Sequence, residues 1–407
     1  MQRQVVVSGL GVVSAFGSSP SEFRDALLAG SSGVAAVTAF RTDDCRSTLA
    51  APVARFEASK WIPPMKLRRM DPTGVFAVVA AGEAMRDAGY SHRPEGDDEA
   101  GVVLGTCTAG GQATSEYLQA LFRGGPLAAP ALLFNSTVGN AAASLVGLEF
   151  KLRGPNVTIS HKEASGLAAI LTAADFLRQR RAVALATGGV DATTEPYYKA
   201  HDRFRTMVRD GVPSDVIGPF DRARRGTVMG EGGFALWLED AEHARARGTA
   251  WSGEVLGLGA AGAPVGLNQW PDSPEPLERT MRLALDDAEL APADVDVVYA
   301  SANGAEVLDR VEATALRQLF GSAQPVVTSI KGAIGECGAG GAASAVAALV
   351  CGRLGLVPPI VGLRDPDDAC GSLRLARTAV SAPGRNVLVN SFASGGALFS
   401  VVFRVAP

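Results

Sequence analysis

Short apolar runs rich in β-branched residues and bounded by glycine recur along the chain. Residues 5–7, 102–104, 157–159, 182–186 and 234–238 form a first set, and 254–258, 295–300, 326–329, 387–390 and 399–403 a second; each reads as a strand. Between them lie Ala-rich amphipathic stretches at 75–88, 165–180, 277–287 and 340–352 that predict helices. Strand followed by helix, repeated, implies a parallel sheet. Continuously apolar strands such as Ala182-Val-Ala-Leu-Ala imply burial on both faces, so the pattern predicts an α/β sandwich with helices outside and between sheets.

The two sets also open alike. Val7-Ser-Gly-Leu-Gly-Val-Val-Ser-Ala-Phe-Gly has a counterpart in Val255-Leu-Gly-Leu-Gly-Ala-Ala-Gly-Ala-Pro, which points to a duplicated half. The polar segment 245–251 is the natural boundary, giving halves 1–250 and 251–407. A length of 407 residues suits one large unit built from two such halves.

With 47% hydrophobic and 20% charged residues, the chain has ample material for a core. The formal net charge of -4 and the absence of a basic block argue against a nucleic-acid partner. The run Arg222, Arg224, Arg225 reads as a solvated loop or a salt-bridge cluster. Cys45, Cys107, Cys337, Cys351 and Cys370 form no CxxC pair and are expected as reduced thiols. His92, His161, His201 and His243 show no metal-ligand spacing, so neither a metal site nor a cofactor is expected. Met1-Gln-Arg-Gln leads into a strand rather than a signal peptide, and no apolar run reaches ~18 residues; a cytoplasmic protein without a membrane span is expected.

Candidate chemistry concentrates at Gly154-Pro-Asn-Val-Thr-Ile-Ser-His-Lys-Glu-Ala-Ser-Gly-Leu-Ala-Ala, which reads as a strand, a tight turn over 161–164 and a helix from Ser165. A side chain on that turn faces a helix N-terminus, where free amides and the helix dipole favour negative charge. Thiol enzymes place a cysteine there to depress its pKa. Here Glu163 holds the position and is expected to accept helix N-terminal N–H groups. His161, two residues earlier, reads as a satisfied or interface histidine.

The segment resembles the nucleophile elbow of β-ketoacyl synthases, in which Gly-Pro opens a strand ending in a catalytic cysteine before Ser-Gly. Gly218-Pro-Phe-Asp-Arg-Ala-Arg-Arg-Gly-Thr-Val-Met-Gly-Glu-Gly-Gly and Leu308-Asp-Arg-Val-Glu are similar to further segments of that family. The resemblance implies a thiolase-like fold: two duplicated βαβαβαββ halves in a five-layered α-β-α-β-α sandwich. It also places Glu163 on the cysteine. The two histidines that synthases use in decarboxylation and oxyanion stabilisation fall on Ser301 and Glu336, while Lys331 matches the family's lysine. Asp309 and Glu312 are implied to tie the loop around Ser301, and Ser394, in Asn390-Ser-Phe-Ala-Ser-Gly-Gly, stands at the gating phenylalanine. No catalytic residue is therefore expected. A carboxylate is a poor acyl acceptor, and two acids at one site would repel a malonyl carboxylate, with Lys331 neutralising one of them.

A silent copy of this kind resembles the chain length factor of type II polyketide synthases. That resemblance implies a heterodimer with an active ketosynthase through the edge strand 156–160, service to an acyl carrier protein by the complex, and a tunnel for the growing chain. Thr114, Tyr117, Leu118 and Leu121 share a helical face that could line the tunnel, with Phe134 nearby; a core or interface role for the same face is the alternative. The Arg222 run could touch the carrier. Aromatic-pathway members of that family usually carry glutamine at the elbow, so Glu163 suggests a divergent branch, one serving reduced or polyene chains. The competing readings are a condensing or decarboxylating enzyme with Glu163 or Cys337 as an unusual nucleophile, and a homodimeric scaffold.

Overall fold

The computed structural model describes residues 3–54, 56–91, 95–209 and 211–407. Met1, Gln2 and His92 lie outside these residues. Ten strands carry the architecture: β1 (Val5–Val13), β2 (Ala100–Gly105), β3 (Asn156–Ile159), β4 (Ala184–Asp191) and β5 (Gly232–Asp240) in the first half, then β6 (Gly253–Gly262), β7 (Val297–Tyr299), β8 (Val326–Thr328), β9 (Asn386–Phe392) and β10 (Ala397–Val405) in the second. All ten runs read from the sequence are present. The run 182–186 starts two residues late as a strand and extends to Asp191, and 295–300 shortens to three residues.

The order across the first half is β3-β2-β4-β5-β1 and across the second β8-β7-β9-β10-β6, so each strand of one half has its equivalent five strands on. β1 and β6 pair antiparallel over Val5 to Val7, joining the halves. Strand faces alternate between cores. Val103, Leu185, Val297 and Val389 point into one cluster with Leu167, Ile170 and Leu349, whereas Val102, Leu104 and Trp237 join a second and Val298, Val327 and Leu388 a third.

Helices supply the other layers. α1 (Pro72–Asp87), capped by the Asp71 side chain, and α3 (Ala141–Phe150) cover the first half, with α2 (Gly111–Gly124) after β2. α4 (Ser165–Arg178) and α7 (Gly340–Gly352) pack together between the halves, and α5 (Glu275–Asp287) and α6 (Glu306–Phe320) cover the second. This is the five-layered thiolase-like sandwich.

The repeated Gly-Leu-Gly has one physical cause in both halves. A Cβ on Gly9 would sit 1.9 Å from the Ala84 carbonyl of α1, and one on Gly257 2.0 Å from the Ala284 carbonyl of α5. The glycines let each outer helix rest on its strand. Asp87 and Asp287 complete the symmetry by accepting the Leu10 and Leu258 amides at 2.9 and 2.8 Å.

Candidate functional site

β3 ends at Ile159, a 3-10 turn covers Lys162–Ala164, and α4 begins at Ser165, as the sequence predicts for this elbow. The backbone bends at Lys162, whose φ of 50° is left-handed and unfavourable for a residue with a Cβ. Surrounding bonds hold it there: Lys162 Nζ donates to Asn268 Oδ1 at 2.5 Å and Ser394 Oγ at 2.6 Å, and Ser165 Oγ donates to the Lys162 carbonyl at 2.7 Å.

Glu163 is buried at 8% exposure. Its carboxylate does not take the helix N-terminal amides expected from the sequence; it accepts the Ser394 amide at 3.0 Å and the Ser394 hydroxyl at 3.0 Å. The correction has a local reason. The first helical amides are already engaged, Gly166 N donating to the Gly338 carbonyl at 2.8 Å, while the loop after β9 brings a free amide and a hydroxyl within reach of the carboxylate. The turn after β3 and the loop after β9 are thereby tied together, with Lys162 as third member.

A second clasp lies opposite. Lys331 Nζ donates to both Glu336 oxygens at 2.6 Å, and Asn303 Nδ2 donates to Oε2 at 2.8 Å. Burial pushes the Glu336 carboxyl above the usual carboxylate range, Lys331 pulls it down, and the nearby charge of Glu163 adds to the rise. Glu163, Glu336, Asn303, Cys337, Tyr197, His201 and Ser394 line one cavity of about 40 Å³, space for a water or two and not for an acyl chain.

Ser301 does not line it. Its side chain is fully buried and its hydroxyl accepts the Phe392 amide at 2.9 Å, while Asn303, two residues on, is the group that reaches Glu336. The loop is fixed by two carboxylates. Asp309 accepts the Phe220, Asn303 and Gly304 amides, and Glu312 the Ser301 and Ala302 amides and Asn390 Nδ2. Burial lifts Asp309 to about 6 and Glu312 to about 7 against those bonds. Of the arginine run, Arg222 pairs with Asp365 and Asp368, Arg224 with Asp367 and Asp309, and Arg225 is exposed.

The remaining candidates scatter. Burial, Asp191 and Glu336 raise the Cys337 thiol well above its ordinary range, which disfavours the thiolate; all five cysteines are free thiols. His161 is exposed against Phe399, and His243 sits 2.7 Å from Glu239. His201, which nothing in the sequence pattern places here, faces the cavity from the helix Glu195–Arg203, its ring tilted against Tyr197 at 4.6 Å and its pKa lowered by burial. On α2, Thr114 and Leu118 line an open groove with Phe122 and Pro196, whereas Tyr117 turns to Phe134 at 5.8 Å. Thr114, Tyr117, Leu118, Leu121 and Phe134 do not enclose a tunnel within the single chain; Leu118 and Phe134 are exposed and the other three half-buried. Among the described residues no three His, Cys, Asp or Glu side chains gather as a metal-binding group, and no helix is long and apolar enough to cross a membrane.

A duplicated α/β sandwich whose strand-to-helix elbow faces a cavity built by loops of both halves is the thiolase-like fold. The chain belongs to the beta-ketoacyl synthase family: its N-terminal domain model matches residues 2–244 and its C-terminal domain model residues 253–364. A 3-oxoacyl-[acyl-carrier-protein] synthase 2 of Coxiella burnetii is 30% identical over 402 residues, 97% of each chain. The tetracenomycin polyketide synthase ketoacyl synthase beta subunit of Streptomyces glaucescens is 36% identical over 377 residues, 90% of each. The solved ishigamide ketosynthase/chain length factor matches with a TM-score of 0.92 at 30% identity over 100% of both chains. The relatives thus include both 3-oxoacyl-[acyl-carrier-protein] synthases and a polyketide synthase subunit.

Proposed function

We propose that this chain is a non-catalytic chain length factor that pairs with an active ketosynthase of a type II polyketide synthase and shapes the path of the growing chain. The observation that carries this reading is the double clasp: the elbow position holds a carboxylate locked to Ser394, and the position after Lys331-Gly-Ala-Ile-Gly holds a second carboxylate locked to Lys331. Neither offers an acyl acceptor, and the two acids disfavour entry of a malonyl carboxylate. His201 is the one imidazole that lines the cavity among the described residues, and the Cys337 thiol that also lines it is raised well above its ordinary range, which disfavours a nucleophilic thiolate.

Pairing is supported by the surface beside the elbow. β3 ends its sheet with one edge unpaired, an arrangement proteins ordinarily protect. α3 packs on β2 and β3 and exposes Leu148 at 76%, and Phe122, Leu132 and Phe134 are also exposed nearby in the chain. Apolar surface of this kind marks an interaction site. In this reading α2 and Phe134 meet the partner, Thr114, Tyr117, Leu118 and Leu121 contribute to chain length, and an acyl carrier protein delivers substrate to the complex. Co-expression with an intact ketosynthase, followed by size-exclusion chromatography with mass detection, tests it: a one-to-one complex is expected, and a stable homodimer that ignores the ketosynthase rejects the pairing.

A further inference from the structure

The cavity at the two clasps and the groove on α2 are close neighbours kept apart by a thin wall. Consecutive residues face opposite sides of it: Pro196 lines the groove, of about 400 Å³, with Gly111, Thr114, Leu118 and Phe122, while Tyr197 lines the cavity. The wall's other side is the turn after β2, where Cys107 Sγ meets the Tyr197 hydroxyl at 3.2 Å and Gly111 opens onto the groove. The His201 ring packs tilted against the same ring. Tyr198, the next residue, instead belongs to the core, fully buried with its hydroxyl on the Leu49 carbonyl. Tyr197 is thus a large side chain whose polar contact is one thiol, set between a small cavity and a larger apolar groove.

We infer that Tyr197 is a specificity-determining plug that closes this subunit's own pocket to linear acyl chains, and that removing its ring joins cavity and groove into one channel. The inference rests on the proposed role, since a subunit that guides a partner's chain must not accept that chain itself. The ring does the closing. Tyr197→Phe, which loses only the thiol contact, stays closed, and Tyr197→Ala opens. The Leu118 side chain lines the groove, so Leu118→Trp in the Tyr197→Ala background refills the joined channel.

The test is titration of the purified full chain with a medium-chain fatty acid carrying an environment-sensitive fluorophore, alongside circular dichroism and melting of each variant. Wild type and Tyr197→Phe are expected to show no saturable binding, Tyr197→Ala at least ten-fold tighter binding than wild type, and the double variant a return to the wild-type level. Tight binding by wild type, or no gain in a folded Tyr197→Ala, overturns the plug; so does a gain that Leu118→Trp leaves unchanged. If Tyr197→Ala does not fold, Tyr197→Leu is titrated in its place, and the same absence of binding overturns the idea. The titration needs no partner, so its failure is distinct from failure to pair, which is read from complex formation alone.

Discussion

Replacing Lys331 by methionine keeps most of the aliphatic stem and removes the ammonium, leaving Glu336 buried with only Asn303 and the Cys337 amide as donors. Stranding one partner of a buried pair costs about 3 to 5 kcal/mol. An upper bound comes from the escape open to the carboxylate, which is to take up a proton. From an ordinary value of 4.5, that costs about 1.36 kcal/mol per pH unit, or about 3.4 kcal/mol at pH 7 and about 0.7 at pH 5. Because the variant's folded state holds the proton and its unfolded state releases it above 4.5, the penalty grows as pH rises through that window. Urea unfolding at pH 5 and pH 7 reads it directly: Lys331→Met is expected to lose no more than about 0.7 kcal/mol at the lower pH and about 3 at the higher. Lys331→Met with Glu336→Gln, which removes the charge, is expected to recover most of the pH 7 loss. A single-variant penalty equal at the two pH values, or a double variant no better than the single, refutes the view that an uncompensated carboxylate is the cause.

Further outcomes follow from the same geometry. Gly9→Ala and Gly257→Ala, each forcing a Cβ to within 2.0 Å of a helix carbonyl, are expected to destabilise by about 1 to 3 kcal/mol, whereas Gly139→Ala, with nothing within 4 Å, stays within about 0.5 in the same melts. Glu312, raised from 4.5 to about 7 in the folded chain, contributes stability that is full below 4.5 and is lost as pH rises to about 7; Glu312→Gln is expected to flatten that part of a urea-midpoint against pH curve. Ser394→Ala removes the hydroxyl shared by Lys162 and Glu163 and is expected to cost about 1 to 2 kcal/mol in urea unfolding. Leu148→Asp, on an exposed site, is expected to leave the melting of the free chain unchanged while lowering the yield of complex in pull-down with a ketosynthase.

The layers of this fold were legible because buried strands leave a local record. Runs such as Val102 to Leu104 and Val387 to Val389 are apolar on both faces, since each face meets a different helix layer. The elbow was legible for the same reason, being a contiguous strand, turn and helix. The partners of its key residue were not: Glu163 and Ser394 are 231 residues apart, and no local periodicity specifies which donor wins the carboxylate. The same holds for Asn303 in place of Ser301, because counting positions along a loop does not say which side chain turns inward. On α2 the helical spacing of Thr114, Tyr117, Leu118 and Leu121 was sound, but a helix between two neighbours divides one stripe among both. Tyr197 and His201 lie on a short polar helix whose pattern points only to surface.

Intact-protein mass spectrometry of the co-expressed pair after incubation with acyl-loaded carrier protein tests the absence of an acyl acceptor most directly. The partner ketosynthase is expected to gain one acyl group while this chain keeps its unmodified mass. An acyl adduct on this chain, above all one that disappears in Glu163→Gln or Cys337→Ser, would contradict the assignment of a silent subunit.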